Sequence, residues 1–160
     1  MRSLADVAGV SVRMLCYYFG TRERLLSAVL MYHRKHNLLS AVAEAESRRE
    51  ALLTSWAYYQ RPAQEPLTRL FFHLAGEGMH SANADPAISG AISSWVDLFR
   101  DLGVREGLPR DQAAQEAHLI TTAFRGLLLD RLLTQDVEAA DRGFDVLLDK
   151  ILPVTKESRR

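Results

Sequence analysis

Residues 4–26 read LADVAGVSVRMLCYYFGTRERLL, and this stretch decides the fold. Leu4, Ala5 and Ala8 fall on one face of a short helix. Gly9 can take the left-handed backbone conformation that breaks such a helix in a tight turn. Val10 buries the turn, and Ser11 is a good N-cap, its hydroxyl able to accept from the first free amides of the next helix. That second helix is predicted over about 12–18, with Leu15 and Tyr18 spaced i, i+3. Helix, short glycine turn and helix is the arrangement whose second member enters the DNA major groove.

The charge around this stretch points the same way. Residues 1–36 hold Arg2, Arg13, Arg22, Arg24, Arg34 and Lys35 against Asp6 and Glu23, a local net charge of +4. The chain as a whole is neutral, with 20 basic and 20 acidic residues, so 37–160 carries the compensating −4. A basic end on a neutral chain suits a polyanionic partner, although chance clustering on solvated helix faces gives the same count.

The rest of the composition bounds the answer. The chain has 160 residues, 48% apolar and 25% charged, which excludes a disordered or low-complexity protein. A chain of this length buries enough surface to need neither disulfide nor metal. Cys16 is the single cysteine, so an internal disulfide framework is excluded and a reducing, cytoplasmic setting is expected. The sequence shows no run long and apolar enough for a membrane span, and MRSLADVAG lacks the apolar core of a secretory signal.

Helical periodicity recurs downstream, and alternating strand patterns are absent, so an all-α fold is expected. Leu25, Leu26, Val29, Leu30 and His33 mark a connecting helix over about 22–45. Leu52, Leu53 and Trp56 mark one over 48–60, closed by Pro62 and Pro66 in the turn RPAQEP. Another is expected over 67–81. Asp85-Pro86 reads as the cap and first turn of the next, which carries Ile88, Ile92, Trp95, Val96 and Phe99 and stops near Gly103 and Gly107. Pro109 opens a long helix to about 135, and Val137 to Ile151 reads as the last, closed by Pro153. The helix over 109–135 is apolar on more than one side, so both the chain's own core and a second subunit are candidates to cover it. Leu119, Ala123, Gly126 and Leu133, with Phe144 and Leu148 from the last helix, are the expected homodimer interface, a four-helix bundle between subunits.

The N-terminal stretch resembles the tetracycline-repressor (TetR) family of transcriptional regulators. The family pattern is close to I-A-x-x-A-G-V-S-x-G-T-L-Y-x-Y-F-x-S-K-E-x-L. The chain supplies Leu4, Ala5, Ala8, Gly9, Val10, Ser11, Leu15, Tyr18, Phe19, Gly20, Thr21, Arg22, Glu23 and Leu25 at corresponding places without a gap, over about 23 residues. LITTAFRGLLLDRLL, residues 119–133, looks like the family's dimerisation helix.

The resemblance implies a helix-turn-helix head over 1–45, including the connecting helix, and a ligand-binding and dimerisation domain over 46–160. It implies that Ser11, Val12, Arg13, Met14, Tyr17, Thr21 and Arg22 meet double-stranded operator DNA. Val12, Arg13 and Met14 would face base edges or the nearby backbone; Tyr17, Thr21 and Arg22 would hold phosphates. Leu15 and Phe19 read as core of the head, with Tyr18 a further core candidate. The chain departs from the pattern at two positions of the reading helix. Cys16 stands where relatives carry an aromatic, and a thiol donates weakly; Arg13 stands where glycine is frequent, adding a charge able to meet guanine or phosphate. The family also has a helix before this motif that the chain lacks ahead of Met1, so the head is expected to be incomplete and Leu4, Val7, Val10, Leu15 and Phe19 to lose part of their cover.

The resemblance also implies a pocket for a small hydrophobic or aromatic effector. Trp56, Tyr59, Phe72, Met79, Trp95, Phe99, Thr122 and Phe124 are its candidates by residue type, although aromatic stripes at helical spacing also serve as plain core. His73 and His80 lie seven apart and His33 and His36 three apart, without the acidic or thiolate neighbours of a metal site. HExxH, CxxC, GxSxG and phosphate-cradling glycine loops are all absent, so no metal, cofactor or catalytic residue is expected. The expected function is a ligand-responsive, DNA-binding repressor that acts as a homodimer. The alternative is a dimeric small-molecule-binding protein whose head does not hold DNA.

Overall fold

The computed structural model describes residues 1–80 and 86–153, the side chain of Ala43 aside, and they form helices joined by short turns, without a strand. Helix α1 (Arg2–Ala8) ends at Gly9, whose φ of 67° is the left-handed turn that only glycine adopts without strain. Ser11 accepts from the Met14 amide at 3.1 Å and opens α2 (Val12–Phe19). Thr21 does the same for α3 (Arg22–Arg34) through the Arg24 amide at 3.2 Å. These caps satisfy amides that a helix start leaves without intrahelical partners.

The connecting helix runs on beyond α3, but not as one regular α-helix. Lys35–Leu39 form a π-helical segment, and α4 (Ser40–Ala43) completes the rod. Asn37 Nδ2 donates to the His33 carbonyl and Ser40 Oγ to the His36 carbonyl, so side chains take up backbone acceptors along the widened turn.

The remaining elements are α5 (Arg48–Tyr59), a 3-10 turn at Pro62–Gln64, α6 (Glu65–His80), α7 (Pro86–Arg105), α8 (Arg110–Thr134) and α9 (Val137–Ile151). Ser47 caps α5 and Asp136 caps α9. Pro86 begins α7 as expected, while the expected Asp85 cap lies outside the described residues.

Three apolar clusters organise the chain. The small one holds Ala5, Leu15 and Leu25, with Leu4, Val10 and Phe19 packed around them. The large one is built on Trp56, Phe99, Ile120, Phe124, Phe144 and Leu148 from α5, α7, α8 and α9. A third joins Leu30 of α3 to Leu74 of α6 and Ile88 of α7. The connecting rod enters all three, with Leu25 in the first, Leu30 in the third, and Leu38 and Val42 in the large core.

Polar ties fix the large body. The Arg48 guanidinium meets Glu106 and Glu116, each at 2.6 Å, joining α5 to the end of α7 and to α8. Asp141 on α9 accepts from Trp56 Nε1 at 3.0 Å and Gln60 Nε2 at 2.8 Å. Trp56 also stacks on Phe144 with ring centres 4.5 Å apart. The antiparallel pair α8 and α9 packs so closely that a Cβ on Gly143 would lie 2.6 Å from Leu127 Cδ2. No helix among the described residues is long and apolar enough to cross a membrane.

Candidate functional site

Two places carry the functional candidates: the outer face of α2, and a cavity between α3, α5, α6, α7 and α8.

On α2, Leu15 is buried and Phe19 packs partly against it, so both point inward. Tyr18 does not join them. It is exposed and meets the ring of Tyr17 edge-on at 5.2 Å. Val12, Arg13, Met14 and Tyr17 face outward, Tyr17 with 82% exposure, and Arg22 lies exposed at the start of α3. Ser11 and Thr21 spend their side-chain oxygens as caps on the helices they open. Cys16 is exposed on the same helix, and Val7 of α1 is exposed as well. The result is a short helix presenting a cation and aromatic, apolar and hydroxyl groups on one outward face.

The cavity has about 60 Å³ of free interior within about 670 Å³ of empty space counted out to its mouth. Of the expected effector residues, Tyr59, Phe72, Trp95 and Phe124 line it. Four do not. Trp56 is buried in the large core with its indole N–H committed to Asp141. Phe99 is fully buried one turn beyond Trp95, stacked on that ring. Met79 is 81% exposed near the end of α6, beyond the stripe that faces α3. Thr122 is exposed on the outer face of α8, and its neighbour Thr121 lines the cavity instead, one residue being 100° of helical turn.

Arg34, Arg125, Gln64, Thr68, His33 and Tyr58, none of them among the expected effector residues, also line the cavity. Arg34 is 9% exposed. Its Nη1 donates to the Ala91 carbonyl at 2.8 Å, and its guanidinium lies 5.3 Å from the centre of the Trp95 ring. Its Nε and Nη2, both buried, have no hydrogen-bond partner among the described residues, and neither has Gln64 Oε1. Burial pulls the Arg34 pKa down to about 10 and pushes the Tyr59 phenol up to about 12. Arg125 is lowered by burial as well. Among the described residues the lining contains no Asp or Glu. Tyr58 and His33 meet each other, hydroxyl to Nδ1, at 3.2 Å.

The expected dimer residues divide. Leu119, Gly126 and Leu133 are exposed on α8, and Ala123 is partly buried against the large core. Phe144 and Leu148 are buried within the same chain, because α9 turns its main apolar stripe toward α5 and α8. They are unavailable to a second subunit. On α9, Val137 and Val146 are exposed. No group of three or more His, Cys, Asp or Glu side chains among the described residues is arranged to hold a metal ion.

Comparison with protein-family models, with curated proteins and with solved structures gives no match to this chain.

Proposed function

We propose that the chain is a ligand-responsive transcriptional regulator, a homodimeric repressor that leaves a palindromic operator when a small apolar effector binds. The observation that supports this most is the outward face of α2, where Arg13 and Tyr17 stand exposed beside a glycine turn and a Ser11 cap. In this reading α2 lies in the major groove. Arg13 and Met14 meet base edges, and Tyr17, Thr21 and Arg22 meet phosphates.

The connecting rod links this head to the cavity. Leu25 belongs to the head's cluster, and Arg34, at the far end of α3, lines the cavity. The π-helical segment directly after Arg34 gives the rod a place to adjust, as such segments do at functional sites. An effector that fits better when the heads are misplaced shifts the population away from the DNA-competent arrangement. Pairing through Leu119, Gly126, Leu129 and Leu133 of α8 with Val146 of α9 sets two heads on half-sites about one helical turn apart. Like the DNA and the effector, this homodimer belongs to the proposal.

The head has a small core, with Ala5, Leu15 and Leu25 its buried members. That favours a second reading, in which the protein binds a small molecule but does not hold DNA. Selection of duplexes from a random library by the purified chain separates the two. Enrichment of an inverted repeat with half-sites about one turn apart supports the regulator; recovery of unenriched sequence supports the second reading.

A further inference from the structure

We propose that the cavity takes an apolar monocarboxylate whose carboxylate is held side-on by Nε and Nη2 of Arg34. This rests on the reading of the cavity as an effector site and names the effector's chemical class.

The geometry of the guanidinium carries it. Arginine has five N–H donors in a fixed plane. The Nε hydrogen and one Nη2 hydrogen point the same way along one edge, and that edge matches the two oxygens of a carboxylate. In this chain the opposite nitrogen, Nη1, is already engaged with the Ala91 carbonyl at 2.8 Å, which holds the plane in place over Trp95. The two donors left without a partner among the described residues are Nε and Nη2, the pair that makes a side-on fork. A buried charge is ordinarily paired, since an unpaired one forfeits its hydration. Here the lining supplies no carboxylate and adds a second arginine, Arg125. No carboxylate among the described residues completes the site, and we assign that place to the carboxylate of a bound ligand.

The surroundings define the rest of the molecule. Leu30, Phe71, Phe72 and Phe124 form apolar walls, so the body attached to the carboxylate is apolar. Gln64 Oε1, buried and without a partner among the described residues, marks a position for one polar substituent, and rotation of the amide would place the donor Nε2 there instead. The free interior of about 60 Å³ admits only a few heavy atoms without rearrangement. A larger body has to displace side chains of the lining. An adjoining polar cleft of about 330 Å³ shares Tyr59, Thr68 and Leu128 with the cavity and carries Arg61, Arg69 and Arg131 against Glu65. Its excess positive charge favours the approach of an anion.

The test uses the full chain and small probes in matched pairs: phenylacetate against phenylacetamide, and hexanoate against hexanol, with acetate as the charge lacking an apolar body. Binding is read by calorimetry and by the shift in melting temperature, without DNA. Phenylacetate or hexanoate is expected to bind at least tenfold more tightly than its neutral partner and than acetate. Arg34→Met removes the buried charge together with its bond to the Ala91 carbonyl and is expected to lose the carboxylate preference. Arg34→Lys keeps the charge, loses the fork, and is expected to bind the carboxylates about tenfold more weakly. Equal binding of acid and neutral partner, or a carboxylate preference that survives in Arg34→Met, overturns the proposal. If Arg34→Met loses much stability, Arg34→Lys decides, and carboxylate binding as tight as the parent's in that variant overturns the proposal. Carboxylate binding that leaves DNA affinity unchanged would sink the regulatory reading and leave this assignment standing.

Discussion

Arg34 Nη1 donates to the Ala91 carbonyl at 2.8 Å, and this bond ties the last turn of α3 to the early turns of α7. The next residue, Lys35, begins the π-helical segment. The rod is thus held to the body at Arg34 and widened immediately after it. Deletion of Asn37 removes the extra residue of a widened turn and lets the rod close to a regular α-helix. Hydrogen exchange of the amides over 35–39 is expected to slow by about tenfold or more in that variant. Unchanged exchange would show that the widened turn is no more open than a regular one.

The Asp141 carboxylate serves two donors, Trp56 Nε1 and Gln60 Nε2. Asp141→Ala leaves the indole N–H without its acceptor and is expected to cost about 1–3 kcal/mol. Trp56→Ala also empties the space beside Phe144 and Phe124 and is expected to cost about 3–5 kcal/mol. Urea unfolding monitored by circular dichroism measures both. A smaller loss for Trp56→Ala than for Asp141→Ala would contradict this ordering.

Glu116 gives a pH dependence with a definite sign. Hydrogen bonds from Arg48 and then from Gln112 hold its carboxyl below the ordinary value of 4.5. A depressed folded-state pKa contributes stability above the unfolded value, and that contribution disappears as pH falls through the folded value. Glu116→Gln is therefore expected to be less stable than the parent at pH 7, by about 1–2 kcal/mol. The gap should close in acid, below about pH 4. Urea midpoints at the two pH values decide it, and a gap that widens in acid would refute the assignment.

Leu133 is 74% exposed on α8 and Leu148 is buried on α9. If α8 meets a second copy, Leu133→Glu yields a folded chain that sediments at the monomer mass of 18.0 kDa. Leu148→Glu instead unfolds the chain, since it puts a carboxylate into the core. Sedimentation of the parent as a monomer at micromolar concentration would remove the dimer from the account.

The helices were legible because their signals are local. Periodic apolar residues, Ser11 as a cap, and prolines at 62, 66, 86 and 109 lie next to the structure they cause. The π-helical segment was not legible, because a run such as KHNLL carries no signal that separates a π turn from an α turn. The cavity was half legible. Tyr59, Phe72, Trp95 and Phe124 were found by type, but type does not distinguish a wall from a core, and Trp56 and Phe99 proved to be core. Arg34 was counted among the basic residues of the N-terminal end. That it turns inward depends on α6 and α7, which lie far along the chain. Thr122 and Phe144 were misplaced for a related reason: on helices with apolar residues on several sides, the inward face is chosen by partners that periodicity does not name.

The central claim is that α2 reads duplex DNA, and its most direct test is the salt dependence of duplex binding by the parent, Arg13→Ala and Arg22→Ala, measured by fluorescence anisotropy. The parent is expected to lose affinity steeply as salt rises. Arg22→Ala should weaken binding to all sequences and reduce the salt slope by about 1, and Arg13→Ala should also relax the preference for the selected site. Duplex binding that neither substitution alters, or no binding even at low salt, would contradict the account.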